Sequence, residues 1–162
     1  MAIYDYLPTY HQIEANNLKG LQPGFVVAQM EVAESAKDDL LVALPNGTEK
    51  VMFENGHICG ISADGIIKAT GSENALFIHD TEPLNTLFNG AKFFAVNTKN
   101  ECGRLVQLIP GDEWMSDMDP EDVCIAGRIV ELGTESTQSG DDWYEVNSLP
   151  DGTEAHHYMF LG

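Results

Sequence analysis

The chain has 162 residues, enough for one domain with a full core and marginal for two. Its hydrophobic content of 43% excludes wholesale disorder. Twenty-six acids against eight bases give a formal net charge of -18, which disfavours phosphate backbones and anionic membrane surfaces, so no nucleic acid and no membrane is expected as partner, and a basic or neutral surface is.

Residues 1–20, "MAIYDYLPTYHQIEANNLKG", mix aromatics, Pro8 and polar residues without helical or strand period. They read as an extended N-terminal arm ahead of a single β-rich domain, residues 21–162, whose last third is acidic. Tyr4, Tyr6 and Tyr10 each pair an apolar ring with a polar tip, so an arm this aromatic is expected to dock, on a partner or on its own domain. The first eighteen residues contain no Lys or Arg and no long apolar run follows Met1, so no standard secretory signal is expected.

From Phe25 onward, short apolar pieces alternate with Gly, Asn and Asp. "FVVAQMEVA" reads as a strand. "NGTEKVMFENGHICGISADGIIKATG" reads as strand, turn, strand, turn, strand, with Asn46-Gly47, Asn55-Gly56 and Asp64-Gly65 supplying the positive φ of tight bends. "ALFIHD", "AKFFAVNT", "GRLVQLI", "DVCIAGRIVEL", "WYEV" and "HHYMFL" continue the series. Only residues 33–44 and 82–88 compete as helix. The pattern predicts an all-β fold, a small antiparallel barrel or sandwich with little helix. "LPNGTE" (44–49) and "LPDGTE" (149–154) reuse one turn chemistry and do not make a repeat. The longest apolar runs, such as "LLVAL", are too short to span a bilayer.

Charge is uneven along the chain. Residues 1–104 carry a balance of -6 and residues 105–162 a balance of -12, with Arg128 the only base of the second part. The densest stretch is "DEWMSDMDPED" (112–122), with six carboxylates in eleven positions. A calcium loop begun at Asp117 would need Gly at position 6 and a bidentate acid at position 12, where Asp122 and Arg128 stand. The stretch therefore reads as a solvated excursion between strands 103–109 and 122–130. Trp114 and Met115 are the odd members of such a loop, expected to be exposed and to contact a partner.

His57 and Cys59 share a strand face, and His156 or His157 would have to complete a zinc set with them. Adjacent histidines on a strand face opposite ways, and Cys59 sits where a small hydrophobe fits, so neither metal nor cofactor is expected. Cys59, Cys102 and Cys124 form an odd, scattered set without CxxC spacing, read as reduced, largely buried thiols in a reducing compartment. No phosphate-loop, dinucleotide, serine-hydrolase or zinc-protease motif occurs, so no catalytic residue is assigned.

"LQPGFVVAQ" (21–29), "ENGHICGISADGIIKATG" (54–71) and "GRLVQLIPGDEWMSDM" (103–118) resemble the PG-x-V-V opening, the glycine-spaced hairpin and the general texture of tailed-phage capsid decoration (cement) proteins. The acidic final third has no counterpart in the resemblance. It implies a non-enzymatic virion protein on the capsid exterior, made in the host cytoplasm, that binds assembled major capsid protein as a homo-oligomer, often a trimer at local threefold positions. A tail or head-tail connector component, and a soluble ligand-binding β-barrel or enzyme, are the alternatives.

Overall fold

The structure, a computed structural model, describes residues 13–14, 27–43, 48–81, 95–97, 102–136 and 154–162. In chain order the elements are β1 (Ile13–Glu14), β2 (Val27–Met30), a 3-10 turn (Glu34–Ala36) running into α1 (Lys37–Leu40), β3 (Leu41–Ala43), β4 (Lys50–Glu54), β5 (Ile58–Ser62), β6 (Gly65–Lys68), β7 (Phe77–His79), β8 (Ala95–Asn97), β9 (Gly103–Gln107), β10 (Glu113–Ser116), α2 (Pro120–Val123), β11 (Ile129–Ser136) and β12 (Glu154–Phe160). They form three antiparallel sheets: β1-β10-β12-β11, β2-β9-β7-β5-β6 and β3-β4-β8. Among the described residues the protein is thus mostly β with two short helices, and the described strands do not close into a barrel.

The five-stranded sheet is apolar on both faces, and the period of two sorts its residues. Ile58, Ile78 and Val106 join Leu76 and Leu108 in a core that also holds Trp114, Met118, Val123, Ile129, Tyr158 and Phe160 of the four-stranded sheet and its connections. Their neighbours Cys59, Phe77 and Leu105 point the other way. There they pack with Ala33, Ala36, Leu40 and Leu41 from the helical segment and Phe53 from β4. Sheet packs on sheet on one side, and a helical turn with the three-stranded sheet covers the other. Each fully buried Leu, Ile or Phe contributes roughly 1.5–3 kcal/mol through removal from water. The short apolar runs of β5, β7 and β9 are those of strands covered on both faces.

Several expectations from sequence change here. The helix over 33–44 shrinks to residues 34–40: Ala33, Ala36 and Leu40 do form a buried helical stripe, but no side chain caps its start, and Leu41 leaves as strand β3. Asn55-Gly56 bends the chain as expected, with Gly56 at φ 101°. It joins no hairpin, however, because β4 and β5 belong to different sheets. The next turn does make a hairpin, β5–β6, with Ala63 and Asp64 at its tip and the positive φ, 135°, on Gly65. The strand expected at 122–130 begins only at Ile129, since Pro120 starts α2 and Ala126 and Gly127 take positive φ before β11. The expected helix at 82–88, the strand "WYEV", the bend at Asn46-Gly47 and most of the "LPDGTE" echo lie outside the described residues.

Candidate partner-binding site

The four-stranded sheet carries most of the acidic third that can be placed. β10 lies beside β12, with Trp114 opposite Tyr158 and Met115 opposite His157. One face therefore presents Trp114, Ser116, Tyr158 and Phe160 to the core, and the other presents Glu113, Met115 and His157. Trp114 is only 2% exposed. Its ring lies 5.8 Å from that of Tyr158, whose hydroxyl donates to the Met118 carbonyl at 2.6 Å. Burial pushes the Tyr158 hydroxyl well above the usual phenol range.

The exposed, partner-contacting reading of Trp114 is thus corrected: the stretch is a strand, not a solvated excursion, and strand alternation turns the indole inward. Residues 105–162 are likewise not simply a solvent-facing segment, since they supply eight of the twelve buried residues in the core shared by the two larger sheets. Met115 is half-buried on the outer face, packed against Ala155. Glu113 beside it is exposed and lies 3.8 Å from His157. Asp112 is a buried turn residue whose Oδ2 accepts the Ile109 amide at 2.8 Å, while Asp119, Glu121 and Asp122 are exposed around α2.

The outer edge of β10 is occupied. Ile13 pairs with Ser116 and Glu14 with Met115, so the described part of the arm adds a strand to this sheet. Tyr4, Tyr6 and Tyr10 lie outside the described residues. At the opposite edge, β11 bulges between Glu131 and Gly133 and leaves Leu132 48% exposed. There His156 Nδ1 sits 3.0 Å from Glu131 Oε1 and 3.1 Å from Thr134 Oγ1, and Thr134 also donates to Glu131. These contacts, the Thr134 hydroxyl foremost, hold the Glu131 carboxyl below the usual range.

A second polar cluster joins the three-stranded and five-stranded sheets, and nothing in the sequence reading pointed to it. His79, fully buried, stacks on Phe53 at 3.7 Å between centroids. Its Nδ1 lies 2.6 Å from the Glu54 carbonyl, an acceptor only, so Nδ1 carries the proton. Nε2 must then accept from the Thr81 hydroxyl at 2.7 Å, and that oxygen in turn accepts the Arg104 amide at 2.8 Å. Burial foremost lowers the His79 pKa to about 3. The only advance signal was its period-two position, on the same face as Phe77. Gly103 permits the approach, because a Cβ there would stand 2.8 Å from the Phe53 ring.

His57 and Cys59 do not form a joint site. The Cys59 thiol is fully buried among apolar groups, which raises its pKa far above the usual value, and Sγ points to the His57 carbonyl at 3.5 Å. His57 Nε2 lies 3.9 Å from Glu54 Oε1, and it and Trp114 Nε1 are the buried side-chain polar atoms without a hydrogen-bond partner among the described residues. No three of His, Cys, Asp and Glu converge as a ligand set among those residues. Of the thiols, Cys59 is buried, Cys124 intermediate and Cys102 exposed, so "largely buried" does not hold for Cys102. No helix among the described residues is long and apolar enough to cross a membrane. Comparison with protein families, characterised proteins and solved structures gives no match.

Proposed function

We propose that this chain is a non-enzymatic virion structural protein that attaches to the assembled shell of a tailed phage as a decoration protein, with major capsid protein as its partner. The observation that carries the reading is the pairing of Ile13–Glu14 with the edge of β10. Here a segment preceding the core strands adds a strand to a sheet edge of its own chain, and the same backbone chemistry lets extended arms tie β domains to other chains. Three further features support it: the small antiparallel sheets, the net charge of -18, and the resemblance of residues 21–29, 54–71 and 103–118 to decoration proteins. The exposed carboxylates of Glu113, Asp119, Glu121 and Asp122 offer a basic or neutral surface a complementary face.

The test is sedimentation through a cushion with capsid shells assembled from a tailed-phage major capsid protein. Co-pelleting that saturates at a fixed ratio to capsid subunits, and is lost on deleting residues 1–14, is the expected result. A chain that stays in the supernatant at every ratio overturns the reading.

A further inference from the structure

We propose that the β1 strand is exchangeable between copies, so that Ile13–Glu14 of one chain can add to the β10 edge of a neighbouring copy instead of its own. The partner is a second copy of this chain, and the surface is the outer edge of β10, residues Met115 and Ser116. As regards the setting in which copies are held side by side, the inference rests on the lattice reading above; the exchange itself is chemistry of the isolated chain.

Three observations carry it. Among the described residues the strand is two residues long and pairs with β10 alone, so release of that pairing leaves the other described strands paired. Twelve residues separate Glu14 from Val27 of β2, and they include Gly20, Pro23 and Gly24. Twelve residues reach about 40 Å when extended, close to the diameter of a folded chain of this size, so a neighbour's edge is in range. Finally, the ladder formed in trans is chemically the ladder lost in cis, so exchange changes connectivity and not contacts.

What decides between the two is local concentration. A short tether gives its own edge an effective concentration of roughly millimolar. Dilute chains therefore keep β1 at home, and chains packed at comparable density share it. Repulsion between copies of net charge -18 delays this at low ionic strength and is screened at physiological salt.

The experiment mixes two variants in a Cys102→Ser background, one carrying Glu14→Cys and the other Met115→Cys, the registered pair of the ladder. After mild oxidation at about 150 mM salt, non-reducing gels and mass spectrometry read the 14–115 disulfide between chains. Its yield should rise on the order of tenfold or more as protein goes from about 0.01 mM to about 1 mM, where trans and cis compete. The double variant Glu14→Cys/Met115→Cys should close within one chain when dilute, which checks that the ladder forms. Absence of the interchain bond at every concentration, with the intrachain bond present, overturns the proposal. So does equal cross-linking of Glu14→Cys to a chain retaining exposed Cys102, which is mere collision. Neither readout involves capsid shells, so failure here is separate from failure to co-pellet.

Discussion

His79 has both ring nitrogens committed, and its neutral form is the one the site accepts. A proton on Nε2 would face a Thr81 hydroxyl already accepting the Arg104 amide, with His57 and Arg104 as further unfavourable neighbours. The folded pKa of about 3 lies below the ordinary histidine value near 6.5. Between these values the unfolded chain binds one more proton than the folded one. Stability from this group is therefore complete above pH 6.5 and is lost progressively toward pH 3, by about 1.4 kcal/mol per pH unit. His79→Gln should remove that one-proton slope in urea melts followed from pH 6.5 to 4; an unchanged slope would show that His79 titrates normally in the folded state. Trp114 gives the second residue-scale test. As a core ring against Tyr158, its replacement by Ala should cost about 3–5 kcal/mol and lower the melting temperature by well over 5 °C. A melting temperature within a degree or two of the parent would put the indole back on the surface. The misreading has a plain cause: six carboxylates surround Trp114, and Glu113, Trp114, Met115 and Ser116 run polar, apolar, apolar, polar, so the alternating burial of β10 is not written in its residue types.

At the scale of elements, the strands were legible because their apolar pieces are short and their turns carry Gly, Asn and Asp. Pairing was legible for the β5–β6 hairpin at Asp64-Gly65, but not between strands joined by longer or misleading connections. Asn55-Gly56 has the composition of a hairpin turn, yet Gly56 N–H bonds the His79 carbonyl and the chain passes from one sheet to another. That choice is made by tertiary contacts of Phe53, His79 and Thr81, which no local pattern records. The β5–β6 hairpin offers a test of what its glycine does. Gly65 lies at φ 135° against the backbone that covers the β6 edge, where Ile66 N–H bonds Glu31 and Ala33 N–H bonds Ile66. An added Cβ would stand 2.5 Å from the Glu31 carbonyl. Gly65→Ala should therefore destabilise by about 1–3 kcal/mol or more through backbone strain alone. Gly133→Ala, where a Cβ meets nothing within 4 Å, should stay within about 1 kcal/mol of the parent. Equal effects of the two in thermal melts would sink the account of Gly65.

Over the whole molecule, charge works against compactness. Among the described residues, Lys37 pairs with Glu34, Lys50 with Asp38, Lys68 with Asp122 and Arg104 with Asp80. Arg128, the one base beyond residue 104, gives its guanidinium to the Gly71 and Glu73 carbonyls and to the Phe160 ring, so it neutralises little of the surrounding acid. The lysine pairs are exposed and contribute little each, while the balance of -12 over residues 105–162 adds repulsion within the chain. Raising salt from about 10 mM to about 150 mM shortens the screening length from roughly 30 Å to 8 Å. The melting temperature of the isolated chain should then rise, because self-repulsion falls in the folded state more than in the expanded one. Attachment to a basic capsid surface should weaken over the same range, since attraction between opposite charges is screened by the same ions. Thermal melts and sedimentation with shells across one salt series read the two trends side by side. A melting temperature flat across the series would mean that carboxylate repulsion is not a significant term in this fold, and binding that strengthens with salt would mean an apolar contact dominates the partner surface.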